Sequence, residues 1–141
     1  MKKHTLIHAG TAIDNPHQYN VVIGTDMGQF SGTVICRAED LDYESRFFGF
    51  ELAEIKAEIQ YAKAKARHYF ALWAELVNFW GEMVKTRTYD EDAFWVKKIA
   101  QRIDKYERLA AEWRAHAVDL RNLYKLRIED FDAQKKKMRT R

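Results

Sequence analysis

The chain has 141 residues, 47% of them hydrophobic and 13% aromatic, with a net charge of +3; that is enough apolar material for one packed domain and excludes a disordered chain. The single cysteine, Cys36, excludes an internal disulfide and a multi-cysteine metal centre, and fits a reducing compartment. No run approaches the ~20 apolar residues of a membrane span, and the apolar run after Met1-Lys-Lys is too short for a signal peptide, so the expectation is a soluble cytoplasmic protein.

Residues 1–50 hold five of the six glycines and the only proline, with β-branched residues in short runs. Lys3 to His8 reads as a first strand and Asn15-Pro16 as a turn. Gln18 to Ile23 and Gln29 to Arg37 flank Gly24-Thr-Asp-Met-Gly28, the pattern of a hairpin. Along the second run Phe30, Val34 and Cys36 share one face, and Thr33, Ile35 and Arg37 the other. A β-meander this small is marginal alone and must lean on the rest of the chain. Ala38 to Ser45 is an acidic linker, with room for one helical turn. Phe47, Phe48 and Phe50 around Gly49 make an apolar knot where the sheet is expected to dock.

From residue 51 the period changes. Leu52, Ile55, Ile59, Ala62, Ala66, Tyr69, Trp73, Leu76, Trp80 and Met83 recur at steps of three and four, the seam of a helix that buries one face along its length. The register restarts as Val96, Ile99, Ile103, Tyr106, Ala110, Trp113, Ala117, Leu120 and Tyr124, breaks at Arg127 and resumes at Phe131. The first helix is expected to end near Lys85. Thr88 and Glu91 form a capping box that would start the second. An antiparallel hairpin about this turn places opposite each other residues whose numbers sum to about 176, so that Ile59 faces Ala117 and Trp73 faces Ile103. The basic tail Lys135 to Arg141 suits the negative end of a helix. The fold class read from this is α+β: a small N-terminal antiparallel β-meander with its acidic linker over 1–50, then a long antiparallel two-helix hairpin over 51–141.

One seam per helix suffices for a hairpin, yet large apolar groups lie off it: Phe70, Leu72, Val77, Phe79, Val84, Phe94, Trp95, Leu109, Val118, Leu123, Leu126 and Ile128. A second stripe requires a second surface, and exposed patches beyond a few hundred Å² are uncommon in monomers. Homo-oligomerisation through the helices follows, with a two-fold interface as the default.

Catalysis finds little support. His4 and His8 would share a strand face and His17 could approach them, but no carboxylate or cysteine spacing completes a metal site, and solvated histidines are the plainer reading. Glu54, Glu58, Glu112 and His116 superficially suggest a bundle carboxylate site, but the chain has no Glu-x-x-His step and the four read as surface charge. No phosphate loop, dinucleotide fingerprint or nucleophile elbow is present, and no cofactor is implied. Binding chemistry has more to work with. Arg102, Arg108, Arg114 and Arg121 lie off the seam of the second helix, and Lys56, Lys63, Lys65 and Arg67 off that of the first. Paired with acids these are ordinary solvated faces; with free aromatics nearby they suit phosphates and a stacked base.

Gly28-Gln-Phe-Ser-Gly32, Arg37-Ala-Glu-Asp-Leu-Asp42, Gly49 and Ala53-Glu-Ile-Lys-Ala57 together resemble a pattern in small phage proteins, the type one Thoeris anti-defence sponge family. The likeness covers roughly 30 residues. It implies a non-enzymatic protein that captures glycocyclic ADP-ribose made by TIR-domain enzymes, in a hexamer built from dimers with pockets between subunits, and with cyclic oligonucleotides as further ligands. The family's binding residues do not align beyond the joint, so the candidate site rests on chemistry: Arg37, Arg67, Arg102 and Arg121 for phosphates, Phe94 or Trp95 for adenine, and Asn122 for a base edge or ribose. The alternative is a coiled-coil interaction or inhibitor module of a phage that binds a host protein. A polynucleotide partner ranks last, because 21 acidic residues are interspersed with the basic ones.

Overall fold

A computed structural model describes residues 4–86 and 93–139. The fold is α+β: strands β1 (Thr5–Thr11), β2 (Gln18–Thr25) and β3 (Gly28–Ile35), a short 3-10 turn at Ala38–Tyr43, then helices α1 (Arg46–Thr86) and α2 (Phe94–Arg139), which pack against each other. No helix is long and apolar enough to cross a membrane. The chain forms two compact units, Met1–Ala62 with Ala117–Arg141, and Lys63–His116.

In the first unit the strands form one antiparallel sheet in the order β1-β2-β3. The central strand alternates as a half-covered strand must, with Tyr19, Val21 and Ile23 almost wholly buried on one face. Burying an aliphatic side chain of this size contributes about 1.5–3 kcal/mol. Gly28, at φ 104, closes the loop between β2 and β3 in a conformation that a Cβ disfavours. Thr25 Oγ1 donates to the Gly28 carbonyl at 2.8 Å and accepts from the Met27 N–H at 3.1 Å. The turn after β1 is set by Asn15, whose side chain accepts the His17 N–H at 3.0 Å. The faces expected along β3 hold, with Phe30 and Val34 turned inward and Ile35 outward.

β1 differs from its expected form. It runs over Thr5–Thr11, and a bulge interrupts its pairing, with Leu6 opposite Ile23 but His8 opposite Val22. Ile23 and Val22 point to opposite faces, so the extra residue puts His4 and His8 on opposite faces rather than on one.

Helix α1 begins earlier than its apolar seam suggests. Ser45 caps it: the Phe48 N–H reaches the Ser45 hydroxyl at 3.2 Å, and the Gly49 N–H its carbonyl at 2.9 Å. The three phenylalanines therefore sit in the first turn of a helix, where they diverge. Phe48 stacks on Phe131 of α2 with ring centroids 4.8 Å apart, Phe50 meets Tyr19 edge-on at 5.1 Å, and Phe47 is 80% exposed. The sheet does dock at this knot, through Gly49 and Phe50, and from there along a ridge of every fourth residue of α1. A Cβ on Gly49 would lie 2.5 Å from the Tyr19 ring, one on Gly32 would lie 2.0 Å from the Ala53 carbonyl, and Ala53 and Ala57 are fully buried. One turn further Tyr61 donates to Asp26 at 2.6 Å and lies against Phe30. Gly32 of the sheet and Gly49, Ala53 and Ala57 of α1 thus make a close approach between sheet and helix.

Both seams expected from the helical period are buried or half-buried throughout. In the first unit Arg127 interrupts the seam of α2 and pairs with Glu51 of α1 at 2.9 Å, while Lys56 lies 5.5 Å from the Tyr124 ring and donates to the Thr33 carbonyl. In the second unit Tyr69 stacks on Tyr106 at 6.1 Å, and Lys65 is buried between the rings of Tyr69 and Trp113. Lys56 and Lys65 therefore belong to the packing and not to a solvated face; their stems cover apolar surface while the ammonium group meets an aromatic face. Thr88 and Glu91, the expected capping box, lie outside the described residues.

Candidate functional site

The first unit encloses a cavity of about 170 Å³ where the end of β3, the 3-10 turn, the start of α1 and the end of α2 converge. Tyr19, Phe48, Tyr124 and Phe131 supply aromatic walls, Leu52 and Ile128 aliphatic ones, and Arg37, Asp40 and Glu44 the polar rim. The walls follow from the seam: Leu52 and Tyr124 are seam positions, and Phe131 is where the interrupted register resumes.

The polar groups form two clusters. In one, Asp40, 3% exposed, accepts from Arg37 Nε at 2.6 Å and from Lys135 Nζ, and Asp132 joins the same two cations at 3.1 Å and 3.6 Å. Burial opposes the charged form of Asp40, but the hydrogen bonds from Lys135 and Arg37 outweigh it and hold the carboxyl below its ordinary range. Arg37 is raised in turn, chiefly by its hydrogen bond to Asp40. In the other cluster Tyr19 donates to Glu44 Oε1 at 2.6 Å, and His17 Nδ1 meets Oε2 at 2.7 Å. The bond from Tyr19 depresses Glu44, while burial, helped by the neighbouring carboxylate, pushes the phenol up to about 12. Cys36 also lines the cavity. Burial raises its thiol, and Glu44 and Asp40 raise it further, which disfavours the nucleophilic thiolate.

The sequence-derived candidates divide between the units. Arg37 lines the cavity, and its side chain is half exposed. Arg121 and Asn122 belong to the same unit, exposed on α2. Arg67, Phe94, Trp95 and Arg102 belong to the second unit and are all exposed, with Lys98 over the Phe94 ring at 5.3 Å. Among the described residues the side chains of Arg67, Arg102 and Arg121 have no ion-pair partner. Sequence reasoning missed Tyr19, Asp40, Glu44 and Lys135. Asp40 and Lys135 are 95 residues apart, and no local period connects them; the one usable signal was the break in the α2 seam before Phe131.

A second constellation lies where the chain enters the sheet. His4 Nε2 is 3.2 Å from a carboxylate oxygen of Glu54 and 3.2 Å from one of Glu58, one helical turn apart on α1, and the three ligand atoms lie within 4.8 Å of one another. Sequence spacing paired His4 with no carboxylate. The bulge in β1 and the docking of α1 on the sheet bring two to it, while His17 goes to Glu44.

No family model matches the chain, and no curated protein or solved structure matches it either.

Proposed function

We propose that this chain is a non-enzymatic binding protein that sequesters a cyclic nucleotide signal of the glycocyclic ADP-ribose type, in homo-oligomers assembled through the helices, and so inhibits TIR-dependent host defence. The observation that carries this reading is the meeting of Arg37 with four aromatic rings around one cavity. A guanidinium has five N–H donors. Asp40 and Asp132 occupy one on Nε and one on Nη2, which leaves two on Nη1 and one on Nη2, enough for the two nitrogens to fork onto phosphate oxygens. A ring on which a base stacks is worth about 1–3 kcal/mol per base.

The size of the cavity argues for more than one copy. At about 170 Å³ it falls below the roughly 300–1,000 Å³ that enclose a whole small ligand, so one chain takes a base or a phosphoryl group and a neighbouring copy covers the rest. The exposed Arg67, Arg102, Arg121, Phe94, Trp95 and Asn122 are the groups such a copy would bring. A Cys36 thiol raised by burial fits capture without covalent chemistry. The test is calorimetric titration with glycocyclic ADP-ribose, followed by heat denaturation and mass spectrometry of the released nucleotide. Saturable binding with the nucleotide recovered intact is expected; no binding, or a hydrolysed product, overturns the proposal.

One observation favours a second reading, a protein-interaction module that masks a host protein. Phe70, Phe79, Val84, Phe94 and Trp95, all within Lys63–His116, are exposed in the single chain. A stoichiometric host protein retained on the immobilised chain, lost on Phe79→Glu, with no nucleotide bound, selects this reading over the first.

A further inference from the structure

We propose that His4, Glu54 and Glu58 form a binding site for a first-row divalent cation of the zinc class, independent of the nucleotide reading. The geometry already has the dimensions of a coordination shell. Metal–ligand bonds of about 2.0–2.1 Å in a tetrahedral site place neighbouring ligand atoms about 3.3–3.4 Å apart. His4 Nε2 lies 3.2 Å from an oxygen of each glutamate, so an ion can enter with a shift of a few tenths of an ångström or less. Glu54 and Glu58 are held on one face of α1 by their four-residue spacing, and His4 reaches them from a separate element, the start of the sheet. The third edge, between the glutamates, falls within the 4.8 Å that spans the whole set.

The charge and burial fit as well. Two carboxylates and a neutral imidazole present a charge of −2 to a divalent ion. The side chains of His4 and Glu58 are 11% and 17% exposed, and that of Glu54 41%. The ion is therefore screened on two sides and open beside Glu54, where a water completes its shell. An imidazole ligand selects against calcium and magnesium, which take oxygen donors, and favours zinc, cobalt or nickel. A bound ion clamps the entry of the sheet onto α1. None of the three residues lines the cavity around Arg37.

The experiment is calorimetric titration of the full chain, stripped with chelator, with Zn²⁺, and with Co²⁺ followed by its visible absorption. One equivalent per chain is expected, with a rise in Tm. His4→Gln and Glu58→Gln are each expected to weaken the Zn²⁺ affinity by at least about 100-fold, a loss greater than the 10–100-fold typical of groups that only support a ligand. Glu54→Gln, a change at a partly exposed position, separates loss of a ligand from loss of the fold. His68→Ala and His116→Ala are expected to bind as the parent does. No saturable uptake, equal uptake of Ca²⁺, or unchanged affinity in His4→Gln and Glu54→Gln would overturn the site.

Discussion

Gly32 of β3 lies so close to Ala53 of α1 that a Cβ on the glycine would fall 2.0 Å from the alanine carbonyl, a backbone atom that cannot yield without moving the helix. Gly32→Ala is therefore expected to destabilise the chain by roughly 1–3 kcal/mol or more, as overpacking a tight contact does. Gly81, within α1, has open space where its Cβ would point, and Gly81→Ala is expected to stabilise by about 0.5–1 kcal/mol through helix propensity. Thermal and urea denaturation of the two variants reads the opposite signs directly.

Removing Asp40 and removing Lys135 are expected to differ from a surface ion-pair deletion. Both side chains are nearly buried, at 5% and 11% exposure, and Asp40→Ala leaves Lys135, among the described residues, with the longer 3.6 Å ion pair to Asp132 and the Phe131 ring at 5.8 Å. A cost of about 3–5 kcal/mol is expected for Asp40→Ala, against about 0–1 kcal/mol for breaking the exposed Arg108–Glu112 pair. Denaturant midpoints at constant slope would establish the contrast.

Stability is expected to fall at both ends of the pH scale for identifiable reasons. Asp40 and Glu44 have folded values held below their ordinary 3.8 and 4.5, so their contribution is full above those values and is lost as pH drops through the lower folded ones. Tyr19 moves the other way. Its phenol is raised from 10.0 to about 12, so its contribution is complete below pH 10 and disappears between 10 and about 12. Ultraviolet titration of tyrosinate should lose a component ionising near 12 in Tyr19→Phe, and the alkaline slope of Tm should flatten with it.

Ligand affinity is expected to depend on Arg37 and Phe131 in different ways. Arg37→Ala removes a phosphate donor and should abolish most binding, while Arg37→Lys, a point charge without the fork, should recover only part of it. Phe131→Ala removes a stacking wall, for a loss of about 1–3 kcal/mol. Titration of Trp95→Ala and Arg121→Ala beside them decides whether a neighbouring copy contributes; unchanged affinity removes each from the pocket.

Light scattering at micromolar concentration is expected to give a mass at a multiple of the single chain. Eight of the twelve apolar residues off the helical seams are exposed, Phe94 at 75% and Leu126 at 56% among them. Phe70→Glu with Phe79→Glu should shift the mass downward, whereas a parent protein that is already a single chain would remove the oligomer from the proposal.

Elements with a short repeat were legible in the sequence because their cause is local. Alternation at period two and the three-four seam are set by which face each Cβ takes along a strand or helix, so the presence of three strands and two helices, and the buried faces of β3 and of both helices, follow from neighbours a few residues away. The register break at Arg127 was visible too, although its reason, the pair with Glu51, was not. The early start of α1 has a local cause too, the Ser45 cap on the Phe48 N–H three residues on, which the apolar seam did not reveal; the tertiary structure alone decided that the Gly49-Ala53-Ala57 ridge receives the sheet and that Lys65 is buried. It also decided both polar constellations. Asp40 meets Lys135 across 95 residues, and His4 meets Glu54 across 50. Such meetings depend on how β1 bulges and how α1 and α2 pack against the rest of their unit. A chain's periodicity specifies which residues are turned inward; which of them touch is settled only when the elements close on one another.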